Sequence, residues 1–411
     1  MTYTQSVQAT EPVPLADDSP ARILERARRL AEELRKGESE RDRHRILAWE
    51  PLQAFRQSGL GALQLPREHA GADVSMATLA EVTAILAEAD ASVAQVALVH
   101  WSAVGLILHS ALPARRPFFI ERIQQGDLFG NASAEGPKHV AGFVQSSLRH
   151  EHGRYLLNGE KFYATGVQYS DWFYVPAVFA DERRFVFLPT RTTGVTVFDD
   201  WTGIGQRTTA SGRVTLDDVV IDPADILQAQ GKGDGSNERL SGLAHVLHSA
   251  IELGIGRAAV RDTLGFIREH AHPPRGSNAQ AATEDFFTIR AVGEITLLDE
   301  IAEALVQRAA AQLDLAYAEL TEHAAVDALH KVCHAKIVTE QFALTAAQRL
   351  FELGGTHSAL EEHNFSRHWR NSRTHSLHDG TRWKYFTLGN RVLNGKKPDP
   401  FTLGYPFTDI G

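Results

Sequence analysis

Apolar residues recur at intervals of three and four along the first part of the chain, which is the spacing of amphipathic α-helices. The first helix has marked ends, because Ser19 suits the N-cap, Pro20 suits the first turn and Gly37 follows the last periodic residue. The stretch before it is rich in Thr, Pro and Asp and lacks this periodicity. We therefore predict a flexible tail over residues 1–18 and an α-helical domain over residues 19–128.

The pattern changes near residue 129 to short runs of β-branched and aromatic residues separated by turn residues. Asn158-Gly159 is a dipeptide typical of a tight hairpin, so we predict a turn there. Short links of this kind suit antiparallel pairing. We predict a middle antiparallel β domain over residues 129–229, with strands at 154–157, 161–164, 172–180, 184–188, 194–198 and 212–216.

Helical spacing returns after a Gly- and Asp-rich linker at residues 230–237. It predicts a C-terminal helical bundle with a C-terminal tail over residues 230–411. The segment 272–283 interrupts the helices with proline and glycine, and we predict a mobile loop over a site. An order of helices, strands and helices indicates the α+β fold class.

The composition excludes several classes of protein. The 411 residues carry a formal net charge of -9, which argues against nucleic acid as the main partner. Cys333 is the only cysteine, so an intrachain disulfide and cysteine-based zinc sites are excluded, and no metal site is predicted. The longest apolar stretch, residues 93–108, falls short of the roughly 20 residues of a membrane span and predicts a buried helix. The N-terminus lacks a signal-peptide pattern, so we expect a cytoplasmic protein with no membrane partner.

A C-terminal motif carries a specific resemblance. Residues 368–379 read HWRNSRTHSLHD and are similar to a segment of dibenzothiophene monooxygenases and related sulfur-acquisition oxidoreductases. These enzymes form a monooxygenase branch of the acyl-CoA dehydrogenase superfamily. The similarity covers nearly the whole chain after the tail, and it includes residues 130–133, Asp200-Trp201, Gly205, Ser211-Gly212 and 284–294.

The resemblance implies an acyl-CoA dehydrogenase-like fold and a homotetramer, with a flavin held between the β domain, the C-terminal helices and a neighbouring subunit. Members of this branch take reduced FMN from a separate flavin reductase and react with O₂ to form a flavin C4a-hydroperoxide. One oxygen atom then passes to a small substrate, which the resemblance implies is an organosulfur compound. Oxidation at nitrogen or carbon stays open, because other branches of the superfamily oxidise amines or hydroxylate aromatic rings. FAD stays open as the alternative cofactor.

The base of the dehydrogenase branch is missing at its expected place. There a Glu in a Tyr-Glu-Gly-Thr-like segment removes the substrate α-proton, whereas residues 378–381 read HDGT in this chain. Asp379 is one methylene shorter than Glu, and a misplacement of about 1 Å can lower a rate on the order of 10²-fold. The resemblance places His378 beside the reactive edge of the flavin, where an imidazole with a pKa of about 6.5 can exchange a proton near neutrality. We predict catalytic roles for His378 and His100, with Asp379 orienting His378.

Each of these assignments has an alternative. His378 and His100 can be interior residues that only hydrogen-bond their neighbours. The chain can also be an FAD-dependent acyl-CoA dehydrogenase with Asp379 as its base, although the missing Glu argues against this. A non-catalytic flavin-binding protein is the third reading, and the presence of both histidines argues against it.

Further residues fall on segments that contact the cofactor in the superfamily. Amide and hydroxyl groups can meet the flavin ring, an arginine can pair with the phosphate, and bare glycine backbone can approach the phosphate end. The alternatives are a turn for Asn131 and Ser133, an anchor of the β-domain edge for Trp201, a surface ion pair for Arg290 and the end of a helix for the glycines. The predicted cofactor-binding residues are Asn131, Ser133, Thr165, Trp201, Arg290, Gly354, Gly355 and Thr356.

Overall fold

Helices, strands and helices follow one another in the predicted order. The computed structural model describes residues 12–15, 19–135, 144–227, 234–400 and 403, so most of the predicted N-terminal tail, and part of the predicted linker and C-terminal tail, lie outside the described residues. The helices are α1 (Pro20–Arg35), α2 (Glu38–His44), α3 (Trp49–Gln57), α4 (Met76–Ala89), α5 (Ala91–Ser110), α6 (Arg116–Gln124), α7 (Ser236–Glu269), α8 (Phe286–Glu319), α9 (Glu322–Ser358), α10 (Ser366–Ser376) and α11 (Thr381–Asn394). The strands are β1 (Phe129–Asn131), β2 (Ser147–Glu151), β3 (Arg154–Lys161), β4 (Trp172–Phe179), β5 (Glu182–Pro189), β6 (Val195–Val197) and β7 (Val214–Ile221). The domain boundaries stay predictions.

Helix α1 begins where the sequence predicts. Oγ of Ser19 accepts from the backbone N–H of Arg22 at 3.4 Å, and Pro20 occupies the first turn. A helix with one apolar stripe buries that stripe against another element, which here is mainly α4. The buried stripe consists of Ile23, Ala27, Leu30, Ala31 and Leu34.

Helix α5 is buried on nearly every side, as its apolar sequence predicts. Asp90 caps it, since Oδ1 accepts from the N–H groups of Ser92 and Val93 at 3.0 and 3.1 Å. Among the described helices it alone is long and apolar enough to cross a membrane, but 89% of the relevant window is buried inside the protein. That burial is typical of a core helix.

Among the described residues the strands form one sheet in the order β1-β4-β2-β3-β7-β6, with β5 paired to β4. Most pairs are antiparallel as predicted, but β1 and β2 each pair with β4 in parallel. The predicted turn at Asn158-Gly159 is wrong, because both residues lie inside β3, where the register with β7 shifts. The hairpin turn falls instead at His152-Gly153, between β2 and β3. Gly159 allows close packing here, because a Cβ would lie 2.1 Å from Oγ of Ser146.

One large apolar core joins the two helical regions, and α7 packs against both α4 and α9. Gly254 permits the close approach of α7 to α4, because a Cβ there would lie 2.5 Å from the carbonyl oxygen of Ala84. A second cluster packs α5 and α6 against the sheet through Phe119, Phe129 and Phe187. The segment 272–283 is irregular up to the short turn Ala282–Glu284, and its role as a mobile cover stays a prediction.

Candidate active site

His378 lies in the turn between α10 and α11. Its ring stacks on that of His248 from α7, with ring centroids 4.6 Å apart and planes at 29°. The side chain keeps accessible surface although protein surrounds it. This surrounding desolvates the ring and lowers the pKa of His378 to about 3, while Asp379 opposes the shift. The imidazole is therefore neutral at pH 7, so the predicted proton exchange near neutrality does not start from an imidazolium.

Behind His378 a buried chain of hydrogen bonds runs from Glu252 through His375 to His248. Nδ1 of His375 lies 2.7 Å from Oε1 of Glu252, and Nδ1 of His248 lies 2.9 Å from Nε2 of His375. Burial lowers the pKa of both histidines, so both rings are neutral. The carboxylate can only accept, which places a proton on Nδ1 of His375 and leaves its Nε2 as an acceptor. His248 must then donate through Nδ1, and its Nε2 is left as an acceptor.

Asp379 is held as an anion beside His378. Its Oδ2 lies 3.0 Å from Nε2 of His245, and its Oδ1 accepts from Nζ of the fully buried Lys384. Burial alone would raise the pKa of Asp379, but the hydrogen bond and charge of His245, with the charge of Lys384, lower it well below its usual range. Lys336 adds a further buried cation, and its Nζ has no hydrogen-bond partner among the described residues. A carboxylate in this setting positions its neighbours and is a weak base.

The sheet contributes a second group of predicted residues. Oγ1 of Thr165 lies 2.8 Å from Oγ of Ser211, which lies 2.7 Å from Oγ1 of Thr209. The carbonyl oxygen of Gln206 accepts from Thr209 at 2.9 Å and from Nε1 of Trp201 at 2.8 Å. These hydrogen bonds connect Thr165 to Trp201, although three strands, β4, β5 and β6, lie between them in the sequence.

Asn131 and Ser133 lie next to that group. The N–H of Asn131 donates to the carbonyl oxygen of Thr165 at 3.2 Å, so the end of β1 adjoins the same hydroxyl chain. Ser133 shares a hydrogen bond with the hydroxyl of Tyr174. The structure therefore gathers the four predicted residues of the sheet, which are Asn131, Ser133, Thr165 and Trp201.

Helix α10 joins the two groups. The N–H of Gly205 donates to Oγ1 of Thr374 at 3.0 Å, and the N–H of Gln206 donates to Oδ1 of Asn371 at 2.7 Å. Gly205 is required at this contact, because a Cβ would lie 1.9 Å from the carbonyl oxygen of Arg370. The helix that presses on the Trp201 loop thus also carries His375 and leads directly into His378.

His100 lies in a different environment. Phe129 donates its N–H to Nδ1 of His100 at 3.3 Å, and Nε2 lies 3.1 Å from the carbonyl oxygen of Gly61. Desolvation by burial lowers the pKa of His100 to about 4. Both nitrogens are thus satisfied by backbone, and the ring fixes β1 to α5. This geometry favours the interior role over a catalytic one, and the catalytic role stays a prediction.

Arg290 and the glycine turn also stand apart. Arg290 is exposed near the start of α8 and forms an ion pair with Glu294 at 3.0 Å. A surface ion pair is the alternative to phosphate binding for this residue. Gly355 breaks the end of α9 with φ 62° and ψ -163°, Gly354 is buried and Thr356 is exposed. Among the described residues, none of them forms a hydrogen bond, ion pair or ring contact with His378 or Trp201.

Known protein families share this architecture. Family models of acyl-CoA dehydrogenase match in chain order, with the N-terminal domain at residues 18–127, the middle domain at 135–219 and the C-terminal domain at 246–383. A dibenzothiophene monooxygenase of Rhodococcus qingshengii is 32% identical over 416 residues, which covers 97% of this chain and 99% of the relative. The chain belongs to the acyl-CoA dehydrogenase superfamily. The predicted family and fold are confirmed.

Two further members of the superfamily are similar over most of their length. A probable FMNH2-dependent monooxygenase, SfnC, of Pseudomonas putida is 29% identical over 391 residues, covering 93% of this chain and 97% of the relative. The crystal structure of FMN-bound TdsC from Paenibacillus sp. A11-2 matches with a TM-score of 0.86 at 28% identity, covering 92% of this chain and 99% of TdsC.

Superfamily membership implies a flavin, and polar atoms beside the sheet group fit one. Oδ1 of Asn131 is buried without a hydrogen-bond partner among the described residues, and so are both polar ends of the Gln206 side chain. Such atoms are rare, since an unpaired buried polar group costs about 1–3 kcal/mol. A flavin ring carries both N–H and carbonyl groups that can complete these bonds.

Sequence reasoning missed the polar residues of α7. His245, His248 and Glu252 recur at intervals of three and four and are all buried, within a helix whose other buried residues are mainly apolar. The helix was predicted from its apolar positions alone. Polar residues repeated at the same spacing on an apolar helix are the signal that would have revealed the site.

Proposed function

We propose that the protein is a flavin-dependent monooxygenase that uses reduced FMN and O₂ to oxygenate a small organosulfur compound. In the balanced reaction one oxygen atom is added to sulfur and the other leaves as water. Reduced FMN supplies the two electrons and two protons, and a separate flavin reductase regenerates it. The names of the relatives, a dibenzothiophene monooxygenase and an FMNH2-dependent monooxygenase, support this reaction class.

The observation that carries the proposal is the state of the residues at the position of the dehydrogenase base. Asp379 is an anion tied to His245 and Lys384, with a pKa far below that of a useful base. His378 is neutral and stacked on His248. With a pKa lowered to about 3, the imidazole of His378 is also a weak base, so this turn lacks a group suited to removing an α-proton, whereas the neutral ring can hold an oxygen atom by a hydrogen bond.

Each predicted residue then has a role at an FMN site. Asn131, Ser133, Thr165 and Trp201 hold and orient the ring from the sheet side, where unpaired polar atoms already lie. His378 faces the reacting oxygen from the helical side, and the Glu252–His375–His248 chain fixes the ring on which it stacks. The backbone of Gly354, Gly355 and Thr356 receives the phosphate end. His100 acts by positioning β1.

A homotetramer is part of the proposal. Phe286 and Phe287 at the start of α8 are 70% and 71% exposed, and large aromatic side chains exposed together are typical of a surface covered by a partner. Arg290 lies one turn further along the same helix, so the same contact brings it to the phosphate of a cofactor bound by a neighbouring copy. The free thiol of the buried Cys333 is compatible with the cytoplasm as its compartment.

Rapid mixing tests the proposal without knowledge of the substrate. Protein with chemically reduced FMN is mixed with oxygenated buffer, and a transient absorbance that precedes oxidised flavin is expected. His378→Ala should shorten or abolish the transient, by about 10²-fold in lifetime or rate. His44→Ala, an exposed histidine of α2, should behave as wild type. If free and protein-bound FMN oxidise alike while the protein reduces a dye with an acyl-CoA, the monooxygenase assignment is wrong.

A further inference from the structure

A cluster of metal-binding side chains lies at the end of α9, directly after the glycine turn. His357, Glu362 and His363 each offer a ligand atom, and these atoms all lie within 4.8 Å of one another. Nε2 of His363 is buried without a hydrogen-bond partner among the described residues and lies 3.7 Å from Oε1 of Glu362. No metal site is predicted from the sequence, where the single cysteine excludes cysteine-based zinc sites.

Aromatic contacts hold the two imidazoles in place. His363 stacks on Phe365, with ring centroids 5.1 Å apart and planes at 14°. Phe266 contacts both rings, at 5.2 Å from His363 and 5.5 Å from His357. The two imidazoles therefore pack against the same aromatic ring, that of Phe266.

Arginines hold the backbone of the same turn. The carbonyl oxygens of Glu361 and Glu362 accept from Arg43 at 3.2 and 2.8 Å, and that of His363 accepts from Arg367 at 3.4 Å. A segment that is already ordered loses little conformational freedom when it binds a ligand. Two of the three ligands thus sit on a turn that is organised before any ion arrives.

We propose that His357, Glu362 and His363 bind a divalent transition-metal ion of the zinc type. Imidazole nitrogen suits zinc, cobalt, nickel and copper, whereas magnesium and calcium prefer sites built from oxygen alone. Ligands around one tetrahedral zinc lie about 3.3 Å apart, so side-chain shifts of about 1 Å complete the set. Glu362 is exposed and makes none of these aromatic contacts, so its side chain can make that shift, and water would fill the open position.

The ion would connect the end of α9 to the turn that precedes α10. His357 lies just after the break at Gly355, whereas Glu362 and His363 belong to the turn before α10. Binding therefore fastens the end of α9 to the start of the helix that leads to His375 and His378. The thermal midpoint of unfolding should rise with ion concentration, because the ion binds the folded state.

Cobalt provides a spectroscopic test on tag-free protein cleared with a chelator. We expect one Co²⁺ per chain with visible d–d absorption, which Zn²⁺ displaces, and a higher unfolding temperature. His357→Ala, His363→Ala and the conservative Glu362→Gln should each weaken Co²⁺ binding at least tenfold. His323→Ala, an exposed histidine on the same helix, should not. Absence of the bands at millimolar Co²⁺, or the same affinity in all variants, overturns the assignment.

Discussion

Replacing Glu252 by alanine tests whether the buried chain of hydrogen bonds organises the active site. The carboxylate is fully buried and accepts from Oγ of Ser372 at 2.6 Å and from Nδ1 of His375 at 2.7 Å. Alanine leaves both donors without an acceptor, at about 1–3 kcal/mol each, so the free energy of unfolding should fall by about 2–6 kcal/mol. Glu252→Gln keeps an acceptor oxygen and should lose only about 1–2 kcal/mol.

Urea unfolding followed by circular dichroism measures both losses, and reoxidation of reduced FMN is followed on the same samples. We expect the alanine variant to lose the transient flavin absorbance together with its stability, since His248 no longer has a fixed tautomer beneath His378. If the free energy of unfolding of Glu252→Ala lies within about 1 kcal/mol of the wild-type value, the hydrogen bonds of Glu252 do not stabilise the site. The tautomers assigned to His375 and His248 then have no support. If alanine prevents folding, the glutamine variant decides between these outcomes.

Three further predictions concern the cofactor and pH. Gly205→Ala should weaken binding of reduced FMN at least tenfold in an anaerobic fluorescence titration, because its Cβ would lie 1.9 Å from a carbonyl oxygen of α10. The control is Gly265→Ala, whose Cβ would meet no atom within 4 Å. Arg290→Ala should raise the Kd for FMN about 10- to 100-fold, and an unchanged Kd contradicts the phosphate role. The free energy of unfolding should stay within about 1 kcal/mol of the wild-type value, because the ion pair of Arg290 is exposed. Burial lowers the pKa of His100 to about 4 and of His378 to about 3, so the unfolded chain binds more protons between these values and about 6.5. Stability should therefore be full above about pH 6.5 and fall towards pH 4, and a urea midpoint that stays constant from pH 7 to pH 5 contradicts the desolvation of these rings.

The fold could be predicted where the signal is local. The stripe of α1 and the continuous apolar sequence of α5 specify helices whose burial depends little on distant sequence. Asn158-Gly159 shows the limit, because the dipeptide favours a turn, but β3 continues through it with a shift of register against β7. Such pairing depends on a segment more than fifty residues away, which local propensity cannot report.

The candidate site could likewise be predicted only where the signal is local in the sequence. The motif at residues 368–379 predicts His378 and Asp379, since a resemblance transfers residue by residue. His248 and His375 are 127 residues apart in sequence, and only the packing of α7 against α10 shows that their rings share a hydrogen bond. The neutral state of His378 was also missed, because it arises from desolvation by protein that the sequence does not place.

The contact between the Trp201 loop and α10 has a consequence for synthesis of the protein. Gly205 and Thr374, which meet there, are 169 residues apart in sequence. The strands leave the ribosome long before α10 exists, and domains generally fold in the order of their synthesis. A nascent or truncated chain therefore has the strands of the proposed flavin site without the helix that contacts the loop and carries His375. We expect a chain truncated before α10 to leave the oxidation of reduced FMN the same as in buffer alone, with no transient flavin absorbance.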